Sequence, residues 1–345
     1  MAYQARWTAT DHVPEEAINT GLINRFGTLD PTSGGQSHRY SLSTEWAYRH
    51  ENSVSKANAY LIDSALDLYS NFTYFLKSDP TDTSGRSKDQ FNQREQRKTM
   101  GAHIEHTLFG QLLKKSNELT LGLEIRSDKV SPVELFDTES RTRTIARSID
   151  RFEQTSTAVF IRNATVWHPK ARTVLGIRRD EFRADVNGIY DDDEDSTSPL
   201  LQRGGKAKGS QVSPKASLVI GPFNHTEFFV NGGKGFHSND PRGVVTPTLP
   251  TPFLAASWGQ EVGIRNTGLA NGLQLSAALF ALRSESELVF VGDAGTTEAK
   301  SASRRRGVEL SAFYQPTENL IVDADMTFSR ARFVNEAAGP RVPNS

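Results

Sequence analysis

The chain has 345 residues, no cysteine and a formal net charge of −1 at pH 7. Charges of both signs are spread along it, so a nucleic-acid partner is not expected, and without thiols there is no disulfide framework, thiolate metal site or cysteine nucleophile. No apolar run reaches about eighteen residues, which excludes a membrane-spanning helix.

Period-two alternation and turn residues predict an all-β chain of about thirteen strands, because long helical periodicity is scarce. In chain order the predicted strands lie near residues 1–9, 36–50, 54–77, 88–109, 118–130, 143–168, 171–187, 211–222, 226–237, 255–266, 271–292, 303–315 and 320–333. Several of these strands are much longer than the usual globular strand of about five or six residues.

The predicted links between the strands alternate between short and long without a break. Short links rich in Gly, Pro, Asn or Lys fall at Glu51–Ser53, Gly110–Asn117, Pro169–Lys170, Phe223–His225, Thr267–Ala270 and Pro316–Asn319. Longer polar links fall at Thr10–Gly35, Ser78–Ser87, Ser131–Thr142, Asn187–Ser210, His237–Leu254 and Gly292–Ala302. An up-and-down transmembrane barrel sorts its loops in this way, whereas a soluble sandwich or propeller has no reason to.

The predicted strands have one apolar face and one polar face, as expected of a sheet that lies between an apolar medium and water. In "NELTLGLEIRSD", Leu121 and Leu123 share a face opposite Thr120 and Glu124, because side chains alternate along a strand. The segment "LIVDADMTFS", residues 320–329, divides in the same way. Aromatic residues beside short turns suit an interfacial girdle, although aromatics also end strands in many other β proteins: Trp167, Phe223 and Tyr314.

One predicted strand departs from this pattern. The segment "LQLSAALFALRSE" is apolar on both faces around Phe280 and Leu282. A water-filled lumen tolerates such a strand only if something packs against its inner side. We therefore expect a packing partner for these two side chains.

A closed barrel leaves no unpaired strand edge, which is the condition for a sheet to exist in hydrocarbon. About thirteen strands is an odd number, whereas bacterial single-chain barrels usually have an even one. The final residues, "AAGPRVPNS", read as a loop. We therefore expect an antiparallel up-and-down transmembrane β-barrel that is partial, with about thirteen strands of a larger barrel.

Three segments carry a resemblance to a known family. The stretch "TEFFVNGGKGFHSNDPRG", Thr226–Gly243, resembles a late-barrel strand and loop of TonB-dependent outer-membrane receptors. The stretch "GDAGTTEAKSASRRRGVELSAFYQPTENLIVDADMTFSRARF", Gly292–Phe333, resembles the part of the same family that precedes the last strands. The hairpin "NAYLIDSALDLYSNFTYFL" is similar to a mid-barrel strand, so the resemblance covers essentially the whole chain.

The resemblance implies a bacterial outer-membrane receptor with a 22-stranded barrel around an N-terminal plug domain. Such receptors import scarce nutrients, namely siderophores, vitamins such as cobalamin, or oligosaccharides, with energy from the TonB complex. The implied partners are outer-membrane lipid and lipopolysaccharide, a small nutrient solute, and TonB acting through the plug. Because no signal peptide, TonB box or plug sequence is found, we expect residues 1–345 to be a fragment of the barrel domain that lacks the plug.

The sequence contains no motif typical of an enzyme. There is no GxSxG elbow, P-loop, GxGxxG or HExxH motif, so no catalytic, metal or cofactor-binding residue is predicted and we expect no enzymatic activity. His103 and His106 lie three residues apart, which places them on opposite faces of a strand and disfavours a shared metal. Substrate-binding residues are not predicted.

Three charged features have a functional and a simpler interpretation. The acidic tract Tyr190–Ser198 has the carboxylates for a calcium loop, but a solvated charge run is the commoner meaning. Arg304–Arg306 suits lipopolysaccharide phosphate, although such runs usually end a strand in solvent. Charged residues on the predicted wet face either contact a plug or solute or simply keep that wall polar: Arg178, Glu309, Asp323 and Asp325.

Two other function classes stay open at this stage. One is a soluble all-β carbohydrate-binding or structural protein. The other is a surface glycosidase, which needs two carboxylates at a defined separation in a cleft. Neither class predicts the loop asymmetry or the long strands.

Overall fold

The structure is a computed structural model, and it describes residues 1–9, 11–73, 89–191, 199–247, 251–291, 296–334 and 342. The strands are Ala2–Thr8 (β1), Gly34–His50 (β2), Ser53–Ser70 (β3), Phe91–Leu112 (β4), Lys115–Glu139 (β5), Thr142–His168 (β6), Ala171–Tyr190 (β7), Leu201–Phe223 (β8), Thr226–Ser238 (β9), Leu254–Asn266 (β10), Leu273–Ser284 (β11), Glu287–Val291 (β12), Thr296–Lys300 (β13), Ser303–Thr317 (β14) and Leu320–Phe333 (β15). Two short helices, Glu15–Asn19 (α1) and Pro241–Val244 (α2), lie in links. Neither of these helices is long and apolar enough to cross a membrane.

Thirteen strands form one antiparallel sheet in which chain order and spatial order agree. The order is β1 to β11 followed by β14 and β15, and β12 and β13 form a separate two-stranded ribbon within the link from β11 to β14. Within the described residues, β1 and β15 each pair on one side only. The predicted all-β, up-and-down arrangement of about thirteen strands is therefore confirmed, and the sheet has two edges.

Tight turns join many neighbouring strands. Leu113 and Lys114 have φ values of 51° and 64°, and Asn224 and His225 have values of 48° and 67°. Two successive left-handed residues form the type of turn whose twist matches that of the flanking strands. These two-residue links fix the register of the hairpins that they close.

The predicted long link at Ser131–Thr142 is wrong. Strand β5 continues through Pro132 to Glu139, and a two-residue turn leads directly into β6. The register of β5 against β6 shifts between Val130 and Val133, a bulge that accommodates the proline. The predicted alternation of short and long links is therefore broken here. The end of β5 is polar enough to resemble a loop in sequence, although it forms a paired strand.

Two other predicted boundaries also differ from the structure. The single strand predicted at 271–292 is divided, since β11 ends at Ser284 and β12 begins at Glu287. Strand β8 begins at Leu201, within the link predicted at Asn187–Ser210. The whole predicted link at Ser78–Ser87 and the end of the strand predicted at 54–77 lie outside the described residues.

The described residues form three small buried apolar clusters, two against one face of the tall wall formed by β5 to β8 and the third, of Ala331, Phe333 and Val342, at β15. Strand β6 alone has 27 residues, whereas a bilayer uses about 9–11 residues of a tilted strand. Two apolar clusters form where the link between β9 and β10, which contains α2, packs on this wall. The sheet is otherwise a single layer with both faces exposed.

Candidate functional site

One face of the sheet is a continuous apolar band, which we call the apolar face. A row in register across five strands consists of Trp46, Ala57, Ile104, Leu123 and Val159. A second row across six strands consists of Phe328, Val308, Leu279, Val262, Val230 and Leu218. The side chains are exposed, with values of 49% for Leu123 and 54% for Ile104. A soluble monomer rarely exposes a contiguous apolar patch larger than a few hundred Å², so this face requires an apolar medium.

The apolar band ends in charged residues towards the end of the sheet that carries the long links. One row there contains Asp63, Lys98, Lys129, Glu153, Asp185 and Lys206. Its charges sum to zero, and Lys129 Nζ lies 2.6 Å from Glu153 Oε1. Such a margin marks the level at which the surroundings change from apolar to aqueous.

Aromatic side chains lie towards the opposite margin, beside short turns. Trp167 Nε1 donates a hydrogen bond to Thr173 Oγ1 at 2.7 Å. Phe223 is 45% exposed, and the Lys170 ammonium lies 4.8 Å from the centre of its ring. These positions suit the interfacial girdle that the sequence suggested, because each ring has an apolar body beside a polar group.

The opposite side of the sheet, which we call the polar face, carries a ladder of ion pairs. Arg178 bridges Glu124 at 2.9 Å and Asp180 at 2.8 Å. Arg126 pairs with Asp128 at 2.7 Å. The Arg178–Glu124 pair joins β7 to β5, whereas the other two pairs join residues two positions apart on one strand, and all three keep this face charged.

Aromatic residues on the polar face lie over glycines of the next strand. A Cβ atom at Gly122 would lie 2.1 Å from the ring of Phe160, and one at Gly307 would lie 2.6 Å from the ring of Phe280. Phe280 and Gly307 are direct cross-strand partners. The expected packing partner of Phe280 is therefore found in the wall itself, where the missing side chain exposes backbone for the ring to cover.

The link between β9 and β10 folds onto the polar face near the long-link end. Its residues Val244 and Val245 pack against Phe182 and Ala184 of β7 and against Phe253. Phe253 is 5% exposed, and its ring lies 5.9 Å from that of Phe182. This apolar contact holds the link against the polar face of β7.

A buried charge cluster anchors the same link. Asp150 has no exposed side-chain surface and accepts hydrogen bonds from two nitrogens of Arg203, one of them at 2.7 Å. Arg242 of α2 lies 3.7 Å from Asp150 and pairs with Asp240 at 2.7 Å. Burial raises the pKa of the Asp240 carboxyl, but the adjacent Arg242 guanidinium outweighs burial and holds that pKa below its usual value.

The two histidines lie as predicted, on opposite faces. His103 is on the polar face, stacked on Phe160 with ring centres 5.8 Å apart, and His106 is on the apolar face, 2.8 Å from Ser55 Oγ. Among the described residues, no group of three or more His, Cys, Asp or Glu side chains is arranged to hold a metal ion.

The charged features singled out in the sequence are separated by the register of the strands. Arg304 and Arg306 project from the apolar face, whereas Arg305 projects from the other face and pairs with Glu287 at 3.2 Å. Glu309, Asp323 and Asp325 lie on the polar face with Arg178. Residues 192–198 of the acidic tract lie outside the described residues.

Sequence reasoning missed the inward-folded link and its anchor. Asp150, Arg203 and Arg242 come from three separated segments, and the one local signal that the prediction did not use is the Asp-Pro-Arg order at the start of α2, which is typical of a helix beginning. It also missed the network around Asp30 that joins the β1–β2 link to the β3–β4 link, in which Asp30 accepts hydrogen bonds from Asn71 and Gln90 at 2.9 Å each.

Comparison with protein families gives a match over residues 3–345 to the family described as TonB dependent receptor-like, beta-barrel. A comparison with curated protein sequences finds no match.

Solved structures with the same architecture include one transporter and two receptors. The ferric citrate transporter FecA in its unliganded form is 12% identical, with a TM-score of 0.71 over 96% of this chain and 48% of that one. The closed form of the ferric-catecholate import receptor Fiu from K12 E. coli is 13% identical, with a TM-score of 0.70 over 97% and 53%. The ferric yersiniabactin uptake receptor FyuA from Yersinia pestis is 13% identical, with a TM-score of 0.65 over 90% and 45%. The chain thus spans about half the length of the solved structures that it matches.

Proposed function

Since this chain belongs to the TonB-dependent receptor-like β-barrel family, we propose that it forms part of the wall of an outer-membrane receptor that imports a scarce nutrient. The observation that carries the proposal is the apolar band, which runs in register across the strands and is bounded by charges on one side and aromatics on the other. In this proposal the apolar face meets lipid and the polar face lines the solute path.

The proposed solute is a siderophore, vitamin or oligosaccharide, and the named structural neighbours favour a ferric chelate. FecA, Fiu and FyuA are named for ferric citrate, ferric catecholates and ferric yersiniabactin, respectively. The link anchored by Asp150 and Arg242 packs on the polar face of β6 to β8, so in this proposal it would contribute to selection among solutes.

We further propose that a plug domain and more strands complete the receptor, and that TonB supplies energy through the plug. The coverage of about half of each solved structure supports this, as do the two edges of the sheet at β1 and β15. Unpaired backbone groups in hydrocarbon cost several kcal/mol each, so edges of this kind require partners.

The first test is the location of the full-length protein that contains this chain. It should fractionate with outer membranes and migrate differently in unheated and heated detergent gels, as closed barrels do. Recovery as a soluble monomer would contradict the proposal and would favour the soluble all-β alternative. The second test is uptake of labelled ferric chelates, cobalamin and oligosaccharides in cells with and without TonB, since a receptor of this class must lose uptake when TonB is removed.

A further inference from the structure

Five arginines lie together on the apolar face, immediately beyond the apolar band. They come from three neighbouring strands, β11, β14 and β15, and we call them the arginine patch: Arg283, Arg304, Arg306, Arg330 and Arg332. All five are exposed. The patch lies towards the long-link end of the sheet, and we place this end at the cell surface, because outer-membrane barrels carry their longer loops there.

The register places the five guanidinium groups in two adjacent rows. Arg283, Arg304 and Arg332 are direct partners across the three strands, and Arg306 is the direct partner of Arg330. Neighbouring strands are about 4.8 Å apart and same-face residues about 7 Å apart along a strand, so the patch base measures roughly 10 by 7 Å. The next residues on this face towards the turns are Val308 and Phe328 of the apolar band.

The charge balance of the patch differs from that of the equivalent margin on β3 to β8. There the charged row sums to zero and contains direct opposite pairs, such as Asp63 with Lys98 and Asp185 with Lys206. In the arginine patch, three direct cross-strand pairs carry like charges, which destabilises a sheet. Among the described residues, no carboxylate forms an ion pair with these five arginines, and the nearby Glu285 accepts a hydrogen bond from the Ala256 amide at 3.3 Å.

An amphipathic groove adjoins the patch on the same face. It has a volume of about 290 Å³ and is lined by Trp258 and Gln260 together with Arg283, Arg304 and Arg306. Trp258 is 54% exposed and lies in register between Lys234 and Arg283. An indole beside cations at the margin of an apolar band matches a ligand with an anionic head and an apolar body.

We propose that the arginine patch binds the phosphate groups of a phosphorylated lipopolysaccharide lipid, with the acyl chains of that lipid on the apolar band. Guanidinium groups present paired N–H donors that match two phosphate oxygens, and a phosphate would offset the like-charge repulsion within the patch. The inference rests on the proposed outer-membrane placement and adds a specific headgroup site to it.

The test uses the full-length protein, purified from outer membranes in detergent and stripped of lipid. Binding of bisphosphorylated lipid A is measured by native mass spectrometry for the parent, for R304Q/R330Q and for R304K/R330K. The matched control is R179Q/R183Q, because both of these arginines also lie exposed on the apolar face; Arg179 is the direct partner of Val159 and Val212, and Arg183 is already paired with Glu181 at 2.5 Å. Dephosphorylated lipid A and inorganic phosphate are the two comparison probes.

We expect R304Q/R330Q to weaken lipid A binding about tenfold or more, which corresponds to the loss of one or more charge-assisted contacts. R304K/R330K should lie between this variant and the parent, because lysine keeps the charge but not the paired donors, and R179Q/R183Q should stay within about twofold of the parent. Heat-modifiable gel migration confirms that each variant is folded. If R304Q/R330Q is not recovered folded, a loss of affinity in R304K/R330K supports the site and parental affinity contradicts it.

Three results would overturn the inference. The first is an equal loss of lipid A affinity in R304Q/R330Q and in the control R179Q/R183Q. The second is that the parent binds dephosphorylated lipid A as tightly as bisphosphorylated lipid A. The third is that inorganic phosphate binds as tightly as the lipid, which would indicate a site for free anions. Fractionation of the parent is measured first. Absence from outer membranes contradicts the proposed function, whereas an outer-membrane protein whose lipid A binding ignores the patch contradicts only this inference.

Discussion

Leu123 tests whether the apolar face meets lipid. It lies in β5 within the alternating apolar run from residue 119 to 125, and its direct partners Ile104 and Val159 are 54% and 53% exposed. We predict that Leu123→Arg strongly destabilises the full-length protein in lipid vesicles. Its apolar neighbours provide no counter-charge or hydrogen-bond acceptor on that face.

The magnitude follows from two contributions. Arginine on the lipid face costs about 2–4 kcal/mol at the bilayer midplane. Leu123 is 49% exposed, so losing its contact with lipid removes about half of the roughly 1.5–3 kcal/mol that full burial of a leucine contributes, or about 1 kcal/mol. The free energy of unfolding should therefore fall by about 3–5 kcal/mol.

The assay is denaturant unfolding in vesicles, followed by tryptophan fluorescence. The matched control is Asn58→Arg, because Asn58 is exposed on the polar face and is the direct partner of Glu45 and His103. Its row also contains Glu124, the chain neighbour of Leu123. The control should change the free energy of unfolding by no more than about 1 kcal/mol. Equal destabilisation by both variants, or none by Leu123→Arg, would refute the assignment of the two faces.

Three further predictions follow from other parts of the molecule. Arg203→Leu should lower the free energy of unfolding by about 3–5 kcal/mol in a denaturant titration, because it leaves the buried Asp150 charge with only the more distant Arg242. The control Arg183→Leu removes one partner of an exposed pair and should cost at most about 1 kcal/mol. Equal costs for the two variants would contradict the burial argument. Burial raises the pKa of Asp30, but hydrogen bonds from Thr32, Asn71 and Gln90 outweigh it, so that pKa lies below its ordinary value of about 3.9. The ionised carboxylate therefore stabilises the links at pH values above the ordinary pKa and loses this effect as the pH falls through the lowered pKa. The difference in thermal stability between the parent and Asp30→Asn should be constant from pH 7 to about pH 5 and should shrink below about pH 4. A difference that does not depend on pH would contradict this prediction. Residues 1–345 expressed alone with an added signal peptide should not support TonB-dependent uptake of ferric chelates in a receptor-deficient bacterium, because the edges at β1 and β15 stay unpaired, and uptake that disappears on removal of TonB would show the opposite.

Local alternation determined the fold class and the two faces. The split between Leu121 and Thr120 requires only that successive side chains point to opposite sides of a strand, and the structure places them as predicted. The opposite placement of His103 and His106 follows from the same period. The short turns were also predictable, because turn residues punctuate the sequence where the chain reverses.

The extent of the strands could not be predicted, because the alternation signal ends where the apolar medium ends. Above the band both faces of a strand meet water or protein, so Ser131–Glu139 of β5 lacks the long apolar stripe of residues 119–125 and contains a proline. It is nevertheless held by pairing with β4 and β6. The predicted strand at residues 271–292 divides within the polar run Arg283–Glu287, a signal that the prediction did not use. Pairing of β11 to β14 ends there, at Ser284.

Only the tertiary structure decided which residues act together. Register between strands far apart in sequence brings Arg283, Arg304 and Arg332 into one row, whereas the run Arg304–Arg306 divides between two faces. Folding of the β9–β10 link onto the wall places Arg242 beside Asp150, which is 92 positions away by number (242 − 150). Composition and the alternation of side chains describe one strand at a time. The sites on this protein are built across strands, so their residues become neighbours only when the hydrogen-bond register between the strands is set.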